Sequence, residues 1–135
     1  MKQLHSDRDV LILKKGEGRT YHCGPMTAIF KADENETNCK YSISEWWLEP
    51  NSEGPGAHSH KEVEQIFYVL EGTISFLAGD QWMDAHPGTF IRIPRNTDHT
   101  FANRTDEKAG MLNFDVPGGF ERELPAMVQW FEDNP

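Results

Sequence analysis

The chain has 135 residues, enough for a single domain over residues 1–135 with a sizeable core, and 37% of them are apolar. Its 22 acidic side chains outnumber 13 basic ones, and the formal net charge of -9 disfavours binding to nucleic-acid phosphates. No apolar run approaches the roughly 20 residues that cross a bilayer. Because the polar segment from Met1 to Asp9 also lacks the core of a secretory signal, we expect a cytoplasmic protein with neither nucleic-acid nor membrane partners.

Short segments rich in β-forming residues follow one another along the chain and are separated by turn residues. Gly79-Asp80 is a two-residue hairpin signal, and Pro94-Arg95-Asn96 marks a further turn. In chain order we predict strands over 19–31, 39–48, 65–70, 73–78, 81–84, 89–93, 97–103 and 109–116, with a polar turn over 33–36 and a loop over 51–56. Many short strands without a long helix between them indicate an all-β sandwich or barrel, with a core over about 19–116.

Only the C-terminal segment, about 120–132, has a helical pattern. Pro125 suits a first helical position, so we predict that the regular helix begins there. We expect this helix to pack against the outside of the barrel or against a partner subunit. The apolar residues that repeat at helical spacing are Phe120, Leu124, Met127, Val128 and Phe131.

The stretch with the clearest chemical content is His58-Ser59-His60. Alternate residues of a strand point to one face, so imidazoles at i and i+2 can converge on one cation. Such a pair suits Mn, Fe, Co, Ni, Cu or Zn. By itself the pattern is a weak indication, because two histidines at this spacing also occur by chance.

The surroundings of these histidines resemble the two motifs of the cupin superfamily. The first motif is Gly, five residues, His-x-His, three or four residues, Glu, six residues and Gly, and Gly72 matches its end. The second is Gly, five residues, Pro, x, Gly, two residues, His, three residues and Asn, and it is matched by Gly88, Pro94, His99 and Asn103. The resemblance is close from Gly54 to Asn103. It implies a double-stranded β-helix, the jelly-roll barrel of cupins, with a short C-terminal helix.

The same resemblance implies one divalent transition metal, with Fe, Mn, Ni, Zn and Cu not distinguishable, held by His58, His60 and His99. The motif glutamate is replaced by Gln65, which shares a strand face with Phe67 and Val69, whereas Glu64 lies on the other face. We predict Gln65 as a weak ligand, or as one that acts from just outside the coordination sphere. Glu64 is the fallback ligand if the strand carries a bulge, and the candidate catalytic base.

Two further departures concern turns. Ser52 stands where the first motif opens with Gly, and Asn96 stands where the second motif has its second Gly. Asparagine tolerates positive φ, so the turn at Asn96 can survive the exchange.

Three neutral imidazoles and a neutral amide would leave the full 2+ charge on the metal, which favours anionic ligands such as enolates or carboxylates. The closest resemblance is to small single-domain cupins similar to quercetinase-type dioxygenases. It implies a small organic substrate, enolic or catecholic, that coordinates the metal and reacts with dioxygen. The residues predicted to line the substrate cavity are Phe67, Val69, Phe90, Phe101 and Met111.

Two alternatives remain at this point. One is a non-catalytic barrel that binds a small ligand, with weak or no metal, and the loss of the motif glutamate favours it. The other is a barrel that has lost its metal and keeps the histidines as buried, hydrogen-bonded residues. Because sheet edges and apolar outer faces are commonly covered by a partner, we expect a homodimer, with the strand from Arg19 or the C-terminal helix in the interface.

Overall fold

The structure is a computed structural model and describes residues 9–135. The strands are β1 (Arg19–Cys23), β2 (Met26–Ala32), β3 (Ser42–Leu48), β4 (Ser52–Glu53), β5 (Glu64–Glu71), β6 (Ile74–Ala78), β7 (Gln81–Ala85), β8 (Phe90–Ile93), β9 (His99–Asn103) and β10 (Ala109–Val116), and the α-helices are α1 (Glu34–Thr37) and α2 (Leu124–Asp133). Within the described residues the strands form two antiparallel sheets, with the strand orders β1-β2-β3-β10-β5-β8 and β4-β9-β6-β7. The predicted all-β jelly-roll architecture is confirmed.

The core lies between the two sheets and follows from the period-2 pattern of the strands. Along β5, buried and less buried residues alternate, so that Phe67 and Val69 point inward and Tyr68 outward. Phe67 meets Phe76 of the other sheet at a ring-centroid distance of 5.2 Å, and Phe101 lies 6.0 Å from Phe67. Each of these buried rings contributes about 2–3 kcal/mol of transfer free energy, so this trio holds the sheets together.

The segment predicted as one strand over 19–31 is a hairpin, β1 and β2, and this prediction was wrong. Gly24 and Pro25 form the turn between Cys23 and Met26, which pair directly. Gly24 has φ +60, and a Cβ atom there would lie 2.4 Å from the Phe131 ring of α2. The turn therefore requires glycine for its backbone conformation and also for the close approach of the C-terminal helix.

Two other boundaries differ from the prediction for local reasons. The segment over 33–36 is a turn that closes into the short helix α1, because Asp33 caps it and Glu36 completes a capping box. Strand β3 begins at Ser42 and not at residue 39, because Asn38 and Cys39 have positive φ values of 58 and 65. The loop over 51–56 contains the two-residue strand β4, which pairs with β9.

The C-terminal segment is helical as predicted and packs on the barrel. A 3-10 turn over Phe120–Glu123 precedes α2, which starts at Leu124, one residue before the predicted start. Leu124 is fully buried, while Met127, Val128 and Phe131 pack against the core. None of the helices in residues 9–135 has the length and hydropathy of a membrane-spanning segment.

Asn96 replaces a motif glycine and has φ 62, and its backbone N–H donates to the His60 carbonyl oxygen at 2.8 Å. We expect Asn96→Gly to leave the free energy of unfolding nearly unchanged, whereas Asn96→Val should lower it by about 1–2 kcal/mol, because a β-branched side chain is strained at positive φ. Urea unfolding of the two variants measures the difference. Equal stabilities would show that the turn relaxes to another conformation.

Candidate metal centre

Two distant segments are joined at the histidines by backbone hydrogen bonds. The His58 N–H donates to the His99 carbonyl oxygen at 3.0 Å, and the His99 N–H donates to the His58 carbonyl oxygen at 2.8 Å. His58 and His60 follow the Gly54-Pro55-Gly56 loop and precede β5, whereas His99 opens β9. His58 lies outside the named strands, but it forms an isolated antiparallel bridge with His99, which brings these two residues side by side.

The three imidazoles converge. Their ligand nitrogens all lie within 4.8 Å of one another. Ring centroids are 4.4 Å apart for His58 and His99, 5.0 Å for His58 and His60, and 5.7 Å for His60 and His99. His99 is buried, and the other two are half-buried. Side chains from two parts of the chain can therefore reach a common cation with modest adjustment.

Backbone carbonyls orient two of the rings. Nδ1 of His58 lies 2.7 Å from the Gly56 carbonyl oxygen, and Nδ1 of His99 lies 2.8 Å from the Thr97 carbonyl oxygen. A carbonyl oxygen can only accept, so each Nδ1 carries a proton and donates it. In the neutral rings the Nε2 lone pairs are then free to bind a metal, the arrangement in which protein histidines serve as ligands.

The electrostatics keep the buried histidines neutral. Burial is the main reason that the pKa of His60 is lowered, and the neighbouring His58 and His99 lower it further. Burial also lowers the pKa of His99, against the opposing effects of the Thr97 carbonyl and of Asp98. Nε2 of His60 is buried and has no hydrogen-bond partner among residues 9–135. An unsatisfied buried nitrogen beside two oriented imidazoles is a donor set that fits a divalent transition metal.

Gln65 completes this set. Its Oε1 lies 2.7 Å from Nε2 of His99, and its Nε2 donates to Oδ1 of Asp115 at 2.8 Å. With the proton on Nδ1, a neutral His99 presents a lone pair to the Gln65 oxygen, which also presents a lone pair. The two atoms therefore cannot form a hydrogen bond with each other. Two ligands at about 2.1 Å from one metal and at a right angle are about 3 Å apart, so this contact fits a cation held by both atoms.

Asp115 and Asn113 belong to the site and were missed in the sequence. Asp115 is 1% exposed, and its Oδ1 also accepts from Nδ2 of Asn113 at 3.2 Å, while its Oδ2 is buried and has no hydrogen-bond partner in the segment from residue 9 onward. Burial raises the pKa of Asp115 to about 6, against the lowering effect of its hydrogen bonds with Gln65 and Asn113. The available signal was the spacing, because two polar residues follow Met111 on the inward face of the otherwise apolar strand β10.

This pKa predicts a pH dependence for the metal-free protein. The ordinary aspartate value is 3.8, so between pH 4 and 6 the folded state holds a proton that the unfolded state has lost. The free energy of unfolding should therefore fall as pH rises through this window, by about 3 kcal/mol in total. Urea unfolding of wild type and Asp115→Asn at several pH values measures it. A difference between the two proteins that does not change with pH would contradict the assignment.

Two predicted site residues lie elsewhere. Glu64 is on the outer face of β5, where its carboxylate pairs with Arg92 at 2.8 Å, and this ion pair lowers the pKa of Glu64. Strand alternation directs it away from the histidines, so neither the fallback ligand nor the base is placed at the centre. Phe90 is 62% exposed on the adjacent strand β8 and does not line an interior cavity. Both expectations are corrected by the geometry.

A cavity of about 30 Å³ lies against the histidines. Of the residues predicted to line it, Phe67 and Phe101 do so, whereas Val69 and Met111 are buried in the core without reaching it. Its walls are otherwise aromatic and aliphatic, with few polar groups. The lining residues are Trp46, Pro55, His58, His60, Gln65, Phe67, Phe101, Asn113, Phe120 and Met127.

The fold and this site define a class of protein that comparisons with known proteins also identify. Residues 44–115, more than half of the chain, match the family model of the cupin domain. The chain therefore belongs to the cupin family.

Among curated proteins, the chain is similar to quercetin 2,3-dioxygenase of Bacillus subtilis (strain 168), at 29% identity over 116 residues. That alignment covers 82% of this chain and 32% of the relative, so the chain spans about a third of the relative's length.

Solved structures agree on the fold. A RmlC-like cupin from Shewanella frigidimarina superposes with a TM-score of 0.71 at 15% identity, covering 84% of this chain and 96% of that one. A predicted oxalate decarboxylase from Thermotoga maritima superposes with a TM-score of 0.64 at 17% identity, covering 68% and 80%. At these identities the likeness concerns the fold alone, because one barrel supports many chemistries.

Proposed function

We propose that the protein is a mononuclear metal enzyme of the dioxygenase type, which oxidises a small enolic or phenolic molecule. His58, His60 and His99 hold one divalent transition metal, with Gln65 as the fourth protein ligand. The observation that carries the proposal is the buried Nε2 atom of His60, which has no hydrogen-bond partner in the described part of the chain and lies beside the two oriented imidazoles. The resemblance to quercetin 2,3-dioxygenase supports the reaction type.

A divalent transition metal at this position would supply a positive centre that polarises a substrate oxygen, and a redox-active ion would also permit redox chemistry. The ligands themselves would be neutral, so less of the metal's positive charge would be cancelled than by a ligating carboxylate, which favours a deprotonated substrate oxygen. The carbonyl oxygens of Gly56 and Thr97 hold the His58 and His99 rings in place before the substrate arrives. The apolar walls exclude water from the reacting atoms, which strengthens these electrostatic interactions.

The cavity also limits the substrate class. No lysine or arginine lines it in the described part of the chain, so the metal would be the only positive charge there, which disfavours a polyanionic substrate such as a phosphate ester or a polycarboxylate. Its free volume of about 30 Å³ has room for about one water molecule. Anything larger must extend beyond it or displace Phe120 and Met127, which come from the C-terminal segment.

A groove outside the cavity can hold the part of the substrate that does not reach the metal. This groove has a volume of about 640 Å³ and shares Pro55 and Met127 with the inner cavity. Trp130 and Phe131 of α2 form part of its wall. A flat, largely apolar molecule can lie there while its oxygen end passes between Pro55 and Met127 toward the histidines.

Metal analysis and oxygen uptake test the proposal. Protein purified without chelator should contain one transition metal per chain and should consume dioxygen with enolic or catecholic substrates, whereas His99→Ala should do neither. Reconstitution of stripped protein with Fe²⁺, Mn²⁺, Ni²⁺, Cu²⁺ and Zn²⁺ identifies the active ion. Stoichiometric metal without turnover on any such substrate would contradict the enzymatic part.

The alternative is a binding module without catalysis, and one observation favours it. Gln65 stands where the cupin motif has an ionisable ligand, which lowers the negative charge next to the metal. Such a module would bind enolic or phenolic molecules, detectable as quenching of tryptophan fluorescence, without oxygen uptake.

We further propose a homodimer. Tyr68 and Phe90 are direct cross-strand partners on the outer sheet face, 43% and 62% exposed, with exposed Leu70 on the same face. A second copy that covers these side chains would bury apolar surface that now faces water. Light scattering should give twice the chain mass, and Phe90→Lys should shift the mass toward the monomer. A monomeric wild type would refute the proposal.

A further inference from the structure

A buried chain of polar contacts leads from the histidines into the barrel wall. Oε1 of Gln65 faces Nε2 of His99, and the Gln65 amide nitrogen donates to Oδ1 of Asp115 at 2.8 Å. Asp115 and Gln65 are direct cross-strand partners on β10 and β5. Asn113, two residues earlier on β10, donates to the same Oδ1. Gln65, Asn113 and Asp115 are all buried, so these contacts are shielded from water.

The direction of these bonds sets the direction of the amide. A carboxylate oxygen only accepts, so the NH2 end of Gln65 must face Asp115, and the carbonyl oxygen must face His99. The reverse orientation would place the amide oxygen against the Asp115 carboxylate. Asn113 keeps Asp115 in place, because its Nδ2 also lies 3.3 Å from the Ile66 carbonyl oxygen. Asp115 therefore determines that the carbonyl oxygen of Gln65, and not its amide nitrogen, faces the metal site.

The contact between Gln65 and Asp115 also determines where negative charge lies near the metal site. Gln65 stands where the resembled motif has a glutamate, so the protein ligands themselves are neutral. The buried carboxylate of Asp115 lies one hydrogen bond beyond the amide. A charge this close in a buried site still interacts strongly with a cation, since the local dielectric is low.

We propose that Asp115 is a positioning residue, which fixes the Gln65 carbonyl oxygen as a metal ligand and supplies, from outside the coordination sphere, the negative charge that a ligating carboxylate would otherwise provide. The inference rests on the proposed metal site but not on turnover. It predicts that amide and carboxylate can exchange places along the chain of polar contacts. An asparagine amide introduced at position 115 could donate to a glutamate carboxylate introduced at position 65, much as Gln65 now donates to Asp115.

The test is the binding of Co²⁺ to stripped, full-length protein, with the dissociation constant and the visible absorption spectrum as two readouts. The variants are Asp115→Asn, Asp115→Leu, and the double exchange Gln65→Glu with Asp115→Asn. Asp84→Asn is the matched control, since this carboxylate accepts from Ser75 on the second sheet, away from the histidines. Thermal unfolding of each metal-free variant shows that it is folded.

Asp115→Asn should weaken Co²⁺ binding by about tenfold with an unchanged spectrum, because the introduced amide can rotate to accept from Gln65 but carries no charge. Asp115→Leu should weaken it by up to about a hundredfold and alter the spectrum, because Gln65 loses its orientation. The double exchange should restore binding to the wild-type level or better. The control should stay within about twofold.

Wild-type affinity in both single variants would overturn the inference, and so would a double exchange as weak as Asp115→Asn. Because Co²⁺ binding requires neither substrate nor oxygen, the enzymatic function and the role of Asp115 can each be contradicted without the other. The expected Co²⁺ pattern without oxygen uptake would overturn the enzymatic function alone, and oxygen uptake with an unaltered Co²⁺ pattern would overturn the role of Asp115 alone.

Discussion

Replacing His60 with alanine is expected to weaken Zn²⁺ binding by more than about a hundredfold, since even residues outside the coordination sphere contribute ten- to a hundredfold. The metal-free protein should lose little stability. Nε2 of His60 is buried without a partner in the residues that the structure describes, so its removal eliminates a desolvation cost of about 1–3 kcal/mol, which offsets the lost contact with the Phe120 ring.

Competition with a chromophoric chelator measures the Zn²⁺ affinity, and urea unfolding measures the stability. His86→Ala is the matched control, because His86 is exposed and contacts Thr73 away from the centre. It should leave the affinity unchanged. Binding by His60→Ala as tight as in wild type would show that this imidazole is no ligand.

Replacing Asn103 with alanine is expected to lower the free energy of unfolding by about 3 kcal/mol or more, because several buried polar groups lose their partner together. Asn103 is fully buried at the end of β9. Its Nδ2 donates to the carbonyl oxygens of Leu48, Glu49 and Glu107 at 3.2, 3.2 and 2.7 Å. Its Oδ1 accepts from the backbone N–H and the hydroxyl of Thr105.

This side chain therefore joins the end of β3 to the loop that leads into β10. Urea unfolding at neutral pH measures the loss, and the exposed Asn35→Ala is the control, with an expected change within about 0.5 kcal/mol. Thr105→Ala removes one of the acceptor contacts and should cost about 1 kcal/mol. A loss in Asn103→Ala no larger than that in Thr105→Ala would contradict the central role of Asn103.

Strand alternation made part of the site predictable. Because side chains along β5 alternate between faces, the sequence indicated that Gln65 points inward with Phe67 and that Glu64 points outward, and the structure has this arrangement. The last strand, 109–116, was predicted with its observed bounds. Motif spacing likewise predicted that His99 binds the same metal as His58 and His60.

Other features depend on how distant elements pack. The sequence predicts one strand across Gly24-Pro25, whereas the structure has a turn there. Part of the reason that this turn requires glycine is its contact with Phe131 on the C-terminal helix, which is distant in sequence. Phe90 resembles a core residue in sequence, but the position of β8 at a sheet edge leaves it exposed. Apolar character alone does not tell which face of an edge strand the rest of the fold covers.

The sequence by itself determined the fold class, the three histidines and the inward direction of Gln65, because periodicity and motif spacing are local properties of the chain. Only the tertiary structure decided what Gln65 touches. Its partner Asp115 is 50 positions away, and cross-strand register, which pairs the two, is set by the packing of the whole sheet. The same packing buries the carboxylate, and burial raises its pKa.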